Sequence, residues 1–218
     1  MASDSFRKLT RDEFAQLLAR FPFSRRIDAV HMHHTRSPDH ADYRGHETIV
    51  AMWRCHTRDN GWSDIAQHIS IAPDGAIWTG RNWNRPPASA SGFNGSGIVG
   101  PFMFETIGNF DRGNDLLEGA QLDTVVAVIA LVQERFGLPP ETLRFHRQMT
   151  DRKSCPGTGV RRDDILAKVQ AHAEAGERIF ADGGRPAADD MPLSRSTSGN
   201  TRFFDEVVSE LLARQRAF

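Results

Sequence analysis

Val30-His31-Met32-His33-His34-Thr35 is the stretch on which the reading of this fold turns. It closes the run Ile27-Asp28-Ala29-Val30-His31-Met32-His33, whose length and apolar content fit a buried strand. That strand would deliver three imidazoles to its own end. Alternation puts His31 and His33 on one face and rotates His34 away.

Upstream of this strand, Thr10-Arg11-Asp12-Glu13 has the capping-box pattern, with Phe14, Leu17 and Leu18 at helical spacing and a stop near Phe21-Pro22. Downstream, Asp39 to Gly45 reads as a loop. Ile49, Val50, Ala51 and Trp53 then suit an amphipathic helix from Glu47 to about Asp59, stopped by Asn60-Gly61. Ile65 to Ile71 alternates like a strand, and Pro73-Asp74-Gly75 turns it into a hairpin partner, Ala76 to Thr79. Residues 82–97, rich in Asn, Pro, Ser and Gly, form a long loop of the kind that frames a cleft.

Phe102 to Gly108 is a further strand carrying one carboxylate, Glu105, in an apolar run. Leu122 to about Phe136 is a helix ended by Gly137 and Pro139-Pro140. A short strand, Leu143 to His146, enters the loop 147–159, and Arg161 to roughly Phe180 is helical. Helices alternating with a few strands predict an α/β domain with a central mixed β-sheet flanked by helices. Gly183-Gly184, Pro186, Pro192 and a Ser/Thr/Asn run make 181–202 a flexible linker. Phe204, Val207, Val208, Leu211 and Leu212 make 203–218 an amphipathic helix that packs on the domain or docks a partner. The main folded domain is therefore expected over 1–180.

Composition narrows the class further. The 218 residues are 39% hydrophobic and 25% charged, with a formal net charge of -1. That balance gives no basic surface for nucleic acid. No stretch approaches the roughly 20 apolar residues of a membrane span, and the first residues lack the apolar core of a signal peptide. A cytoplasmic protein as synthesised is the expectation. Cys55 and Cys155 could form one disulfide, but that compartment argues for free thiols or a metal thiolate.

Two clusters at strand ends carry metal-binding residue types. One is His31, His33 and His34; the other is His146 with Cys155, nine positions apart across a loop containing Lys153 and closing with Pro156-Gly157. Zinc takes His and Cys ligands tetrahedrally, and a catalytic zinc keeps one position open. Glu105 in an apolar strand is costly to bury without a task or a partner. On the residues alone, a structural pairing with Arg144 or Arg147 is the simpler account.

Four segments, in order, resemble the type 2 N-acetylmuramoyl-L-alanine amidases, the superfamily that includes peptidoglycan recognition proteins and phage amidases. They are Val30 to Thr35, Gly61-Trp62-Ser63-Asp64-Ile65-Ala66-Gln67-His68 through Asp74-Gly75, Phe104 to Phe110, and Phe145-His146 through Lys153-Ser154-Cys155-Pro156-Gly157. The resemblance implies Zn2+ held by His33, His146 and Cys155, and its register selects His33 over His31 and His34. It implies Glu105 as the residue that activates water, in the branch without a hairpin tyrosine; Gln67 stands at that position here. It implies Lys153 as the group that stabilises the oxyanion, and peptidoglycan or a muropeptide as substrate, cut between N-acetylmuramic acid and L-alanine. Asp64 is expected either to orient a ligand imidazole or to cap a turn, and His68 to organise the site. Trp83, Asn84 and Phe93 are candidates for glycan or stem-peptide contact. Two rival readings are a peptidoglycan-binding module without catalysis, which would lack a ligand, and a structural zinc site with His31 or Asp151 as fourth ligand.

Overall fold

The structure is a computed structural model and describes residues 6–175. The expected linker and C-terminal helix lie outside the described residues. Thr10 caps α1 (Arg11–Arg20): its hydroxyl accepts from Glu13 N at 3.2 Å while Glu13 Oε2 accepts from Thr10 N at 2.7 Å. This reciprocal pair satisfies two donors that the first turn leaves free. The helix buries Phe14, Leu17 and Leu18 at the spacing its sequence shows.

Six strands form one sheet: β1 (Lys8–Leu9), β2 (Arg26–His34), β3 (Ile69–Ile71), β4 (Ile77–Thr79), β5 (Val99–Thr106) and β6 (Leu143–Phe145). Their spatial order is β1-β4-β3-β5-β2-β6. β3, β5, β2 and β6 run parallel, and the hairpin partner β4 runs antiparallel between β3 and β1. The sheet is mixed, as expected, with three departures, the first being the unanticipated edge strand Lys8–Leu9. Only Ile69–Ile71 of the anticipated 65–71 strand enters the ladder. β5 starts before Pro101, and its ladder with β2 is irregular between Ile27 and Val30, which accommodates a residue that has no N–H to donate.

Three further helices complete the layers: α2 (His46–Arg54), α3 (Gly119–Phe136) and α4 (Arg162–Ala175). α2 ends earlier than its sequence suggests, because Cys55–Asp59 widens into a π-helical turn. α3 ends where Gly137 adopts φ 61°, a left-handed cap that glycine takes without a side-chain penalty. One sheet face carries Val30, Met32, Phe102, Phe104, Leu143 and Phe145 into the main core with α1, α3 and α4. On the opposite side, Trp78 of β4 and Ile65 from the chain before β3 cluster with Ile49, Val50 and Met52 of α2. No described helix is long and apolar enough to cross a membrane.

Candidate metal centre

Parallel register builds the site. Opposite β2, His33 pairs with Glu105 of β5, and Glu105 pairs with Ser70 of β3. On the other side Met32 pairs with Phe145, so the next residue, His146, continues the row past His33. One row across the carboxyl ends of adjacent parallel strands thus holds Glu105, His33 and His146. Ends of this kind are where open α/β sheets place their ligands. The rings of His33 and His146 have centroids 4.5 Å apart.

Cys155 arrives from the loop after β6. Its thiol accepts from His34 N at 3.3 Å, and its carbonyl accepts from Arg147 N at 2.8 Å. The Arg147 guanidinium knits the loop by donating to Gly157 O at 2.6 Å and Val160 O at 2.5 Å. Asp111 fixes the other side, its carboxylate accepting from Ser154 Oγ at 3.1 Å and Thr158 N at 2.9 Å. Gly157, at φ 112°, lies so close to Phe110 that a Cβ would sit 2.4 Å from its carbonyl. The glycine after Cys155-Pro156 is what lets the loop approach this closely.

The donor atoms of His33, His146 and Cys155 all lie within 4.8 Å of one another. They fit a divalent metal ion. Nε2 of His33 is buried without a hydrogen-bond partner, a cost that a metal bond would remove. Burial holds the His33 imidazole well below its usual pKa, with help from His146, so it stays neutral as a ligand must. Burial, then the charge of Lys153, lowers His146 as well. Burial pushes the Cys155 thiol up to about 12; a bound cation reverses that balance and favours the thiolate. Among the described residues, no fourth His, Cys or carboxylate joins the three, so His31 and Asp151 are not ligands here.

A cleft of about 340 Å³ opens onto His33, His146 and Cys155, and Glu105 and Lys153 line it. No described cation forms an ion pair with Glu105, which removes the structural pairing with Arg144 or Arg147. Burial lifts its carboxyl to about 7. A second hollow of about 340 Å³, beside Met52 and Cys55, also reaches Glu105. Cys55 and Cys155 are free thiols, the first exposed and the second buried.

Other expected site residues lie elsewhere. Trp83 is fully buried, packed against Phe14, Phe21, Phe23 and Phe102, and cannot stack on a glycan. A polar loop hid an aromatic anchor for the main core. Asn84 braces the chain before β2, donating to Pro22 O at 2.9 Å and accepting from Ser24 N at 2.7 Å. Phe93 is exposed, but Ser89 is the residue of that loop that lines the cleft. Asp64 accepts from Ile65 N at 2.8 Å. His68 is fully buried between Met103 N and Arg85 O, at 3.0 and 2.9 Å, and supports β5 from within. His34 makes an ordinary hydrogen bond from Phe110 N to its Nδ1 at 3.3 Å.

Sequence reasoning did not single out Arg36, His56 or Arg152, which also line the cleft, while Trp62, there too, belongs to the Gly61–Asp64 segment of the resemblance. His56 accepts from Ala66 N at 3.1 Å and packs against the Trp62 ring at 5.0 Å. Its position four residues after the buried Met52 of α2 was a readable sign that it faces inward.

Residues 23–158 match the family described as N-acetylmuramoyl-L-alanine amidase. A human protein of that name is 32% identical over 136 residues, spanning 60% of this chain and 22% of the human one. The chain therefore corresponds to about a fifth of that relative. Among solved structures, the N-acetylmuramoyl-L-alanine amidase LysC from Clostridium intestinale superposes with a TM-score of 0.56 at 23% identity, over 67% of this chain and 87% of LysC. A Drosophila PGRP-LB mutant solved with tracheal cytotoxin gives 0.54 at 27% identity, over 70% and 89%. With the matched segment covering well over half its length, the chain belongs to the N-acetylmuramoyl-L-alanine amidase family.

Proposed function

We propose that this protein is a zinc-dependent amidase that hydrolyses the bond between N-acetylmuramic acid and L-alanine in peptidoglycan or its fragments. The observation that carries the reading is the convergence of His33, His146 and Cys155 beside Glu105. Two imidazoles and a thiolate with no fourth protein ligand match an open, catalytic zinc site better than a closed structural one. The complete ligand set also argues against a module that only binds. A relative solved with tracheal cytotoxin supports a wall fragment as the ligand.

Zinc, when bound, supplies Lewis acidity toward the scissile carbonyl and the attacking water. Glu105 takes the proton from that water and delivers it to the leaving nitrogen. A carboxyl near pKa 7 is suited to both transfers at neutral pH. Lys153, on the cleft wall near His146, offsets the negative charge that grows on the carbonyl oxygen. The burial of Glu105 strengthens its share of these interactions. The test is mass spectrometry of sacculi and of soluble muropeptides after incubation with zinc-loaded protein. Release of stem peptides with a free L-alanine amine is expected; intact lactyl-alanine bonds throughout would overturn the reading.

A further inference from the structure

Both residues that directly follow a histidine of the site hold on to Cys155. His34, after His33, donates its N–H to the Cys155 thiol at 3.3 Å, and Arg147, after His146, donates its N–H to the Cys155 carbonyl at 2.8 Å. Cys155 itself lies in a stretch, residues 149–161, that has no helix or strand of its own. Contacts made across the chain, not regular structure, therefore set its place beside the two imidazoles.

The Arg147 side chain extends this hold. Its Nη1 donates to Ser154 O at 3.4 Å and Gly157 O at 2.6 Å, and its Nη2 to Val160 O at 2.5 Å, so the fork grips the loop on both sides of Cys155. The guanidinium also rests over the ring of Phe145, 4.9 Å from its centroid, and Phe145 is fully buried in the main core. Among the described residues no ion pair with a carboxylate uses this cation. An arginine whose planar fork is spent on the carbonyls of one loop fixes the path of that loop, a task that the point charge of a lysine cannot fully share.

We propose that Arg147 is a positioning residue of the candidate metal site, holding the Cys155 thiol beside His33 and His146 before a metal ion binds. That role rests on these three residues being metal ligands. Without the guanidinium, metal binding would itself have to order the loop, and the cost would show as lost affinity.

Alkylation of the metal-free full chain with iodoacetamide, read by peptide mass spectrometry, tests the positioning without a metal. Exposed Cys55 is the standard against which buried Cys155 is measured. In Arg147→Met, Cys155 is expected to react faster relative to Cys55 by on the order of tenfold, the worth of a charge-assisted hydrogen bond. Zinc affinity, read by competition with a chromophoric chelator, is expected to fall by about 10–100-fold, and Arg147→Lys to recover only part of either loss. Arg162→Met is the control, since that arginine also donates to backbone carbonyls, those of Leu143 and Glu141; it should leave both readings unchanged. In a Cys155→Ser background Arg147→Met should cost no further affinity, because its effect passes through the thiol. A Cys155 reactivity unmoved in both Arg147 variants would overturn the proposal, as would an Arg147 effect of full size in the Cys155→Ser background. If wild type binds no zinc, the metal reading fails instead, and alkylation alone decides whether Arg147 holds the thiol. Arg147→Lys carries the comparison should the methionine variant not fold.

Discussion

Replacing Glu105 with Gln should make the zinc-free protein more stable while removing its chemistry. Lifting a carboxyl from its ordinary 4.5 to about 7 means that its ionised form costs at most about 3 kcal/mol in the folded state. The carboxylate keeps part of its surface open to the cleft, so solvent screening lowers the expected figure to about 1–2 kcal/mol. The sign follows from the direction. A raised carboxyl binds its proton more tightly when folded, so the penalty is absent below pH 4.5, grows between 4.5 and 7, and is complete above 7. The glutamine variant escapes it at every pH. Thermal melts at pH 8 should therefore show a rise in Tm of roughly 2–8 °C over wild type for a chain of this size. Near pH 5 about a quarter of the gain should remain. Zinc must be absent, because a cation in the site would itself favour the carboxylate. In parallel, hydrolysis by the zinc-loaded variant should fall by about a hundredfold or more. Equal Tm differences at pH 5 and pH 8, or a variant less stable than wild type at pH 8, would refute the argument that burial raises this group.

Three other perturbations test the loop and the ligands. Gly157→Ala would place a Cβ 2.4 Å from the Phe110 carbonyl at φ 112°, so a loss of about 2–5 kcal/mol and a clearly lower Tm are expected; a melt within 2 °C of wild type, on the order of 0.5–1 kcal/mol here, would contradict the close approach. Cys155→Ser should weaken zinc binding by more than the roughly 100-fold typical of losing an outer partner, read by competition with a chromophoric chelator, and unchanged affinity would exclude the thiol as a ligand. Lys153→Ala should lower kcat by on the order of 10²–10³ with little change in KM if it serves the oxyanion; a change confined to KM would make it a substrate-binding residue instead.

Local signals in the sequence were reliable where a short-range rule acts. The Thr10–Glu13 box, the apolar spacing of α1 and the Asp74-Gly75 turn each appear in the structure as read. The gathering of His33, His146 and Cys155 was legible through the family resemblance, whose register selected His33; strand ends alone offered two clusters and left His31 open. What escaped was decided by long-range packing. Trp83 looks like a loop aromatic because its neighbours in sequence are polar, whereas its neighbours in space are four phenylalanines from α1, the following turn and β5. His68 looks like a site residue until Met103 N, contributed from 35 positions away, claims its Nδ1. Arg36 gives no sign in the sequence of its left-handed backbone, since arginine seldom adopts it.

The three candidate ligands are held by the fold in different ways, and metal and fold would depend on each other accordingly. His33 belongs to the central strand β2, and His146 follows β6 directly, so the main core beneath Met32 and Phe145 positions both. Cys155 has no strand to hold it. It depends on the Arg147 and Asp111 bonds and on the contact of Gly157 with Phe110. A metal shared by all three would tie a loop to a sheet that is already ordered without it. Chelation should then loosen residues 147–160 while leaving the sheet intact, because no core residue of β2 or β5 relies on the metal for burial. Hydrogen exchange can separate the cases. Faster exchange confined to that loop after chelation fits a catalytic metal added to a finished fold; loss of protection across β2 and β5 would mean that the metal holds the domain together.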